Sequence, residues 1–287
     1  MGTVWELDFY SRPILDERQK KRWEILVCEG VQDVKADPDH LFRYNKFLSS
    51  SEVNSIQLKG ALEEAIAQAP NPPSQIRFFR YQMRNMIIRA CEDLGIPAKA
   101  SRRTLTLQLW LEQRKQEVYP QDPGYQPSPS PLINAAPISP SPLPDALLGQ
   151  QWAFVSLEAS AFADLPEWSI DFGESFPLDM AGVAPDARIP GVIIYSQRAL
   201  PLAGWMSGLE LSYLKAKLTA PVHLLLETGA TESWILADIT SSEIAAEAAK
   251  FEEAKQKANQ VHFLAVQIDP QSKTFAGFWL LREVDLG

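Results

Sequence analysis

A proline-rich segment divides the sequence into two parts. Residues 120–150 contain nine of the 22 prolines of this 287-residue chain, together with few charged side chains. This composition favours extended polyproline structure, which cannot pack into a hydrophobic core. The segment therefore predicts a linker between an N-terminal domain, residues 1–119, and a C-terminal domain, residues 151–287.

The overall composition is that of a globular protein, with 46% hydrophobic and 22% charged residues. No apolar run approaches the roughly 18 to 20 residues that span a bilayer, and the N-terminus shows no signal-peptide pattern. The two cysteines, Cys28 and Cys91, lie among apolar residues without metal or redox spacing. We expect a cytoplasmic protein with no transmembrane segment, no cofactor and no bound metal.

The apolar patterns predict a mixed α/β (α+β) fold. In the N-terminal domain, TVWELDFYSR and KRWEILVCEG alternate as antiparallel strands do, and residues 42–48 suggest a third strand. A capped amphipathic helix, the strand QIRFFR and a helix at residues 81–94 follow, while residues 104–118 fit either a strand or a helix. This order of elements resembles a ribonuclease H-like core, an analogy of fold that does not carry function.

The C-terminal domain predicts a mixed sheet with flanking helices. Strands are expected in WAFVSLEASAF, PGVIIYSQ, VHLLLETG, ESWILADI, VHFLAVQID and FAGFWLLREV. Helices are expected in GWMSGLELSYLKAKL and in SSEIAAEAAKFEEAKQKAN, the second of which begins with serine caps.

A ribonuclease H-like order raises the question of a nuclease, because that chemistry clusters carboxylates around two metal ions. Asp8 lies in the middle of a strand and Glu52 at a helix start, where such ligands would be useful. Arg80 and Tyr81 occupy the place of a third acid, and a cation there would repel metal ions. We therefore predict a fold without an intact catalytic cluster and assign no catalytic residue.

Positive charge is concentrated in one part of this acidic chain. The net charge is −9, yet residues 75–115 carry nine basic residues against three acidic ones. Arginine pairs with phosphate and stacks on bases, and exposed aromatic rings add stacking platforms. Two explanations fit this pattern. The arginines either form a solvated face over a packed core, or they form a surface that binds RNA. The candidate RNA-binding residues are Arg77, Arg80, Tyr81, Arg84, Arg89, Arg102 and Arg103.

Several long motifs occur in an order that resembles the Tab-two-like RNA-binding protein family of oxygenic phototrophs. They are GTVWELDFYSRPILDE, KRWEILVC, IRFFRYQMRNMI, GIPAKASRRT, VYPQDPGY, VHFLAVQ and FAGFWLL. The resemblance implies binding of A/U-rich mRNA leaders and support of photosystem I reaction-centre translation, in a cyanobacterial, cytoplasmic member or, as the second choice, in a mature stromal form.

The resemblance also adds three RNA-binding candidates near the C-terminus. The family's Trp-Leu-Leu tripeptide corresponds to Trp279, Leu280 and Leu281. Strand alternation puts Trp279 and Leu281 on one face, which is compatible with a core as well as with a contact surface.

The predicted function is RNA binding without catalysis. The expected partner is a single-stranded A/U-rich mRNA leader, and translation or photosystem assembly factors are further candidates. Two alternatives stay open. One is an assembly factor that binds no RNA and acts through the acidic C-terminal domain and the proline-rich segment. The other is a metal-dependent nuclease that uses Asp8.

Overall fold

The computed structural model describes residues 2–127 and 139–284, which form two compact units. The first unit holds the described residues up to 127 apart from Gln32–Ala36, and the second holds Gln32–Ala36 with residues 139–284. Residues 128–138, in the middle of the predicted linker, lie outside the described residues. The boundaries 1–119, 120–150 and 151–287 stay predictions.

The first unit is built on a five-stranded mixed sheet. Its strands are β1 Val4–Leu15, β2 Lys21–Glu29, β3 Arg43–Leu48, β4 Gln75–Phe78 and β5 Ala98–Ala100. The order across the sheet is β3-β2-β1-β4-β5, with β1, β2 and β3 antiparallel and with β4 and β5 parallel to β1. The mixed α+β class is confirmed, and the ribonuclease H-like assignment stays a prediction.

Helices cover both faces of this sheet. They are α1 Ser55–Gln68, α2 Arg84–Glu92 and α3 Leu105–Gln113. Trp5, Leu7 and Phe9 point from β1 into a core shared with α1 and α2. The alternate residues point to the opposite face, where Ile14 packs with α3.

Local capping explains where two of these helices begin. Asn54 is the N-cap of α1, and its side chain accepts a hydrogen bond from the Gln57 amide. In α3, the Leu107 amide donates to Oε2 of buried Glu6 at 2.7 Å, so a carboxylate from β1 meets the positive end of the helix. The segment 104–118, which sequence pattern left open, is this helix followed by a π-helical turn, Arg114–Val118.

The second unit contains two mixed sheets. Its strands are β6 Ser141–Pro142, β7 Gln151–Glu158, β8 Ile170–Glu174, β9 Arg188–Tyr195, β10 Leu211–Lys217, β11 His223–Thr228, β12 Glu232–Asp238, β13 Val261–Gln267 and β14 Phe275–Arg282. One sheet has the order β7-β9-β13-β14-β8 and the other β10-β11-β12-β6. Two helices, α4 Ala199–Ser207 and α5 Ser242–Lys257, share a core with both sheets.

One helix prediction in this unit was wrong. The segment GWMSGLELSYLKAKL is the end of α4 followed by strand β10, because Gly208 closes the helix and Leu211 starts a strand. Within β10, Leu214 and Ala216 are buried while Lys215 is exposed, as a half-buried strand requires. The sequence WAFVSLEASAF was also predicted as one strand, but β7 ends at Glu158 and a 3-10 helix, Ala159–Glu167, follows.

A buried lysine and a buried histidine tie β10 to the rest of this unit. Lys255 Nζ on α5 donates to the Leu214 carbonyl at 2.7 Å and to Glu283 Oε2 at 2.5 Å. His262 Nε2 on β13 accepts from the Leu214 amide at 2.8 Å. Burial, together with the nearby Lys255 charge, lowers the pKa of His262 well below its ordinary value, which keeps Nε2 available as an acceptor.

The Trp-Leu-Leu tripeptide lies in the core of the second unit. Trp279, Leu280 and Leu281 are 4%, 0% and 1% exposed. The Trp279 indole lies over Gly277, where an added Cβ would come within 2.3 Å of the ring and 3.0 Å of Ala203 on α4. Glycine at 277 is thus what lets this large ring lie flat against the strand.

We expect Trp279→Ala to destabilise the second unit by about 3–5 kcal/mol, because it removes a buried indole and leaves a cavity. The matched control is Leu200→Ala on α4, where the side chain is 54% exposed and the expected change is within about 0.5 kcal/mol. Urea unfolding followed by circular dichroism measures both. Equal stability of the two variants would contradict the core assignment.

Candidate nucleic-acid interface

The carboxyl ends of β4 and β5 lie side by side at one edge of the first sheet, next to the middle of β1, because the three strands are parallel. Arg80 and Tyr81 follow β4, and Arg102 and Arg103 follow β5. The Ser101 amide donates to the Phe78 carbonyl at 2.8 Å, so the two strand ends are adjacent. In sheets with parallel strands this edge is where ligands usually bind.

Four of the candidate RNA-binding residues are accessible around this edge, and we call Tyr81, Arg84, Arg102 and Arg103 the edge surface. Tyr81 is 55% exposed in a short 3-10 turn, and Arg84 is exposed at the first position of α2. Arg102 and Arg103 are half-buried in a loop that is fixed by two hydrogen bonds. Ser101 Oγ accepts from the Arg103 amide at 3.0 Å, and Gln108 Nε2 donates to the Arg102 carbonyl at 3.3 Å.

Arg89 is exposed in the last turn of α2, five residues beyond Arg84. Five residues of helix correspond to about 500° of rotation, so the two side chains leave the helix in different directions. Arg89 is therefore not part of the edge surface.

Arg77 and Arg80 are buried, at 7% and 9% exposed. Arg77 lies opposite Glu6 in the β1–β4 register, facing the side of the sheet that α3 covers. Arg80 Nε donates to Asp8 Oδ1 at 2.6 Å, and its guanidinium lies 3.9 Å from the centre of the Tyr10 ring. Arg77 and Arg80 therefore do not lie on one exposed basic surface with Arg84, because Arg77 faces the side of the sheet that α3 covers and Asp8 on β1 holds Arg80 inward.

Arg80 belongs to a larger group that we call the buried ion network. Its members are Asp8, Arg12, Glu24, Arg80, Arg114 and Tyr119, none more than 9% exposed. Arg12 bridges the two acids, with NH1 2.9 Å from Asp8 Oδ2 and Nε 2.8 Å from Glu24 Oε2. Arg114 pairs with Glu24 Oε1, and the Tyr119 hydroxyl donates to Glu24 Oε2 at 2.6 Å.

The charges of this network reinforce one another. Burial alone would raise the pKa of the Asp8 carboxyl, but the charges and hydrogen bonds of Arg12 and Arg80 outweigh it and hold that pKa below its ordinary value. Burial raises the pKa of the Tyr119 hydroxyl, which keeps it protonated as a donor to Glu24. Three guanidinium groups thus surround two carboxylates.

The acids considered for metal binding are engaged in other contacts. Both oxygens of Asp8 accept from arginine. Glu52 turns back on its own loop, where Oε2 accepts from the Ser49 amide and hydroxyl at 2.8 and 2.7 Å. Within residues 2–127 and 139–284, no three His, Cys, Asp or Glu side chains meet in a group that could hold a metal ion.

Sequence patterns missed most of the buried ion network. Asp8 and Arg12 lie four residues apart on one strand, so alternation could have placed them on the same face. Arg114 and Tyr119 follow α3, far from Asp8 and Arg12 in the sequence, so no local pattern connects the two pairs.

Comparison with known proteins finds two family models that match successive parts of the chain. Residues 4–114 match the family model described as RNA-binding protein Tab2/Atab2 N terminal, and residues 130–282 match RNA-binding protein Tab2/Atab2, C-terminal domain. The chain belongs to this family of RNA-binding proteins. The Tab2/Atab2 family is the Tab-two-like family that the sequence motifs resemble.

Two plant relatives are similar over nearly the whole chain. Protein TAB2 homolog, chloroplastic, of Arabidopsis thaliana is 39% identical over 285 residues, which cover 96% of this chain and 74% of the relative. The protein of the same name from Zea mays is 38% identical over 288 residues, covering 98% and 71%. The edge surface falls in the N-terminal family domain and Trp279–Leu281 in the C-terminal one. In the described part of this Tab2/Atab2 member, no helix is long and apolar enough to cross a membrane.

We expect Arg80→Met to destabilise the first unit by about 3–5 kcal/mol, because it leaves a buried carboxylate without one of its two partners. The matched control is Arg84→Met on exposed α2, for which we expect a change within about 0.5 kcal/mol. Unfolding curves of the two variants in guanidinium chloride measure this difference in stability. If Arg80→Met unfolds at the same denaturant concentration as the control, the network does not hold the unit together.

Proposed function

We propose that this Tab2/Atab2 protein binds single-stranded A/U-rich mRNA leaders through the edge surface. Binding supports translation and biogenesis of photosystem reaction-centre subunits, without a catalytic step. Translation or photosystem assembly factors are further partners, and the cytoplasmic location implied by the resemblance is part of the same proposal.

The pairing of an exposed ring with an exposed cation at the carboxyl edge carries this proposal. Among the described residues, neither the Tyr81 ring nor the Arg84 guanidinium has a hydrogen-bond, ion-pair or aromatic partner, so both are available. A tyrosine platform accepts the face of any base, and an arginine beside it neutralises the phosphate that follows. Base faces are reachable only in unpaired RNA, which favours single strands over duplexes.

The buried ion network fixes the backbone at the point where the edge surface begins. Asp8 and the Tyr10 ring hold Arg80, the residue that directly precedes Tyr81. The backbone just before Tyr81 is therefore held in place, and less conformational entropy is lost when RNA binds.

The proposed interface does not use Arg77, Arg80 or the Trp279–Leu281 tripeptide as direct contacts. All five residues are at most 9% exposed, and each is engaged in packing or pairing. Their proposed contribution to RNA binding is through the stability of the two units.

We expect Tyr81→Ala to weaken binding of a 20-nucleotide A/U-rich RNA by about 1–3 kcal/mol, because one stacking platform is lost. Arg84→Ala should lower the slope of log K against log salt by about one, because one phosphate contact is lost. Filter binding at several salt concentrations measures both effects.

The matched control for these variants is Lys273→Ala, which removes an exposed cation from the turn between β13 and β14 of the second unit. Its affinity and salt slope should equal those of the unchanged protein. If all three variants bind alike, the interface lies elsewhere. If the unchanged protein shows no saturable binding but co-purifies with photosystem subunits, an assembly factor replaces the RNA-binding proposal.

We expect no cleavage of end-labelled RNA in the presence of Mg²⁺ or Mn²⁺, because two arginines occupy the oxygens of Asp8. Denaturing gels after long incubation measure this. Cleavage that depends on the metal and disappears in Asp8→Asn would contradict the non-catalytic proposal and favour the nuclease alternative.

A further inference from the structure

An open groove of about 900 Å³ lies at the tip of the β1–β2 hairpin in the first unit. Three separate chain segments line it: the hairpin turn at residues 16–20, the loop at residues 49–51 after β3, and residues 122–126. Residues 8–15 of β1 carry the hairpin beyond the end of β4, since Leu7 already pairs with Phe78. The groove thus lies farther along β1 than the edge surface.

The segment at residues 122–126 is firmly anchored to β1. The Leu15 amide donates to the Gly124 carbonyl at 2.8 Å, and the Gln126 amide donates to the Pro13 carbonyl at 2.9 Å. An added Cβ on Gly124 would lie 2.1 Å from the Leu15 carbonyl oxygen, so only glycine allows this approach. The DPGY part of the motif VYPQDPGY therefore forms one wall of the groove.

Side chains hold the same wall from both ends. Asp122 accepts from Arg22 NH1 on β2 at 3.0 Å and from the Gly124 amide at 2.9 Å. Just before this wall, the Tyr119 hydroxyl donates to Glu24 within the buried ion network. A site built on such supported backbone keeps its shape without a ligand, as a recognition site requires.

The charges that line the groove cancel. Arg18, Lys20 and Arg22 stand against Asp16, Glu17 and Asp122. Two of the acids already have partners within the protein. Asp16 Oδ1 accepts hydrogen bonds from the amides of residues 18 and 20, both at 2.9 Å, and Asp122 forms an ion pair with Arg22. A balanced groove of this kind has no strong attraction for a bare phosphate, but it suits an uncharged, hydrogen-bonding ligand.

Unengaged hydrogen-bonding side chains remain around it. Within the described part of the chain, the side chains of Gln19, Ser50 and Gln126 make no hydrogen bond. A glutamine amide offers a donor and an acceptor side by side, which matches the edge of a nucleobase. Gln19 also has a φ of +60°, a left-handed conformation that is uncommon for a residue other than glycine and that belongs here to the hairpin turn.

We infer that the hairpin groove reads nucleobases, and that Gln19 and Gln126 determine which base is preferred. This inference rests on the proposed RNA-binding function and divides the work between two surfaces. The edge surface binds phosphates and stacks on bases without regard to sequence, whereas the groove supplies hydrogen bonds that differ between bases.

The experiment compares the full chain with the double variant Gln19→Ala/Gln126→Ala, using 20-nucleotide oligo(A), oligo(U) and oligo(C). We expect the unchanged protein to prefer one of these RNAs. The double variant should lose at least about tenfold in affinity for the preferred RNA, as expected for loss of the base-specific contacts of two glutamines. Its salt slope and its affinity for the least preferred RNA should not change.

Two controls separate this inference from the proposed function. Gln57→Ala, an exposed glutamine on α1, should keep both affinity and preference. Arg84→Ala should weaken all three RNAs alike and lower the salt slope. If the unchanged protein binds RNA without preference, or if the double variant keeps its preference, the inference is overturned while RNA binding stands. If the unchanged protein binds none of the three RNAs, both are overturned.

Discussion

The pairing of two buried carboxylates with three buried arginines is the constraint on which the first unit depends. A lone charge in a protein interior costs several kcal/mol, so each member is tolerable only because the others are present. The members come from β1, β2, the end of β4 and the end of α3. These elements must therefore all be in place before any one of the charges is satisfied. The network consequently makes the position of α3 and of the chain that follows it part of the same cooperative structure.

The rest of the fold differs in how well it could be predicted from the sequence. Alternation located β1, β2 and β3, and the Ser-rich loop before α1 signalled where that helix begins. The segment after β5 was ambiguous because Leu105, Leu107, Trp110 and Leu111 are dense enough to satisfy either period. In the second unit, the short break at Gly208 was hidden between a helix pattern and a strand pattern that are both rich in leucine.

The candidate site, too, could be predicted only in part from the sequence. Charge density correctly located a basic segment, but it cannot tell an arginine that faces water from one that pairs with a distant acid. Arg80 and Asp8 are 72 residues apart in sequence, and no local pattern joins them. The hairpin groove could not be foreseen for the same reason, since its three walls come from positions about 16, 50 and 124 and meet only in the folded chain.

The contact between Trp279 and Gly277 has a consequence for how sequence motifs are interpreted. The ring occupies the space where any larger residue at 277 would place its Cβ, so a side chain at 277 requires a smaller residue at 279. Volume alone is then enough to couple these two positions of the block FAGFWLL. A motif preserved by packing and a motif preserved by a ligand leave the same trace in a sequence, and only the direction in which the side chains point separates them.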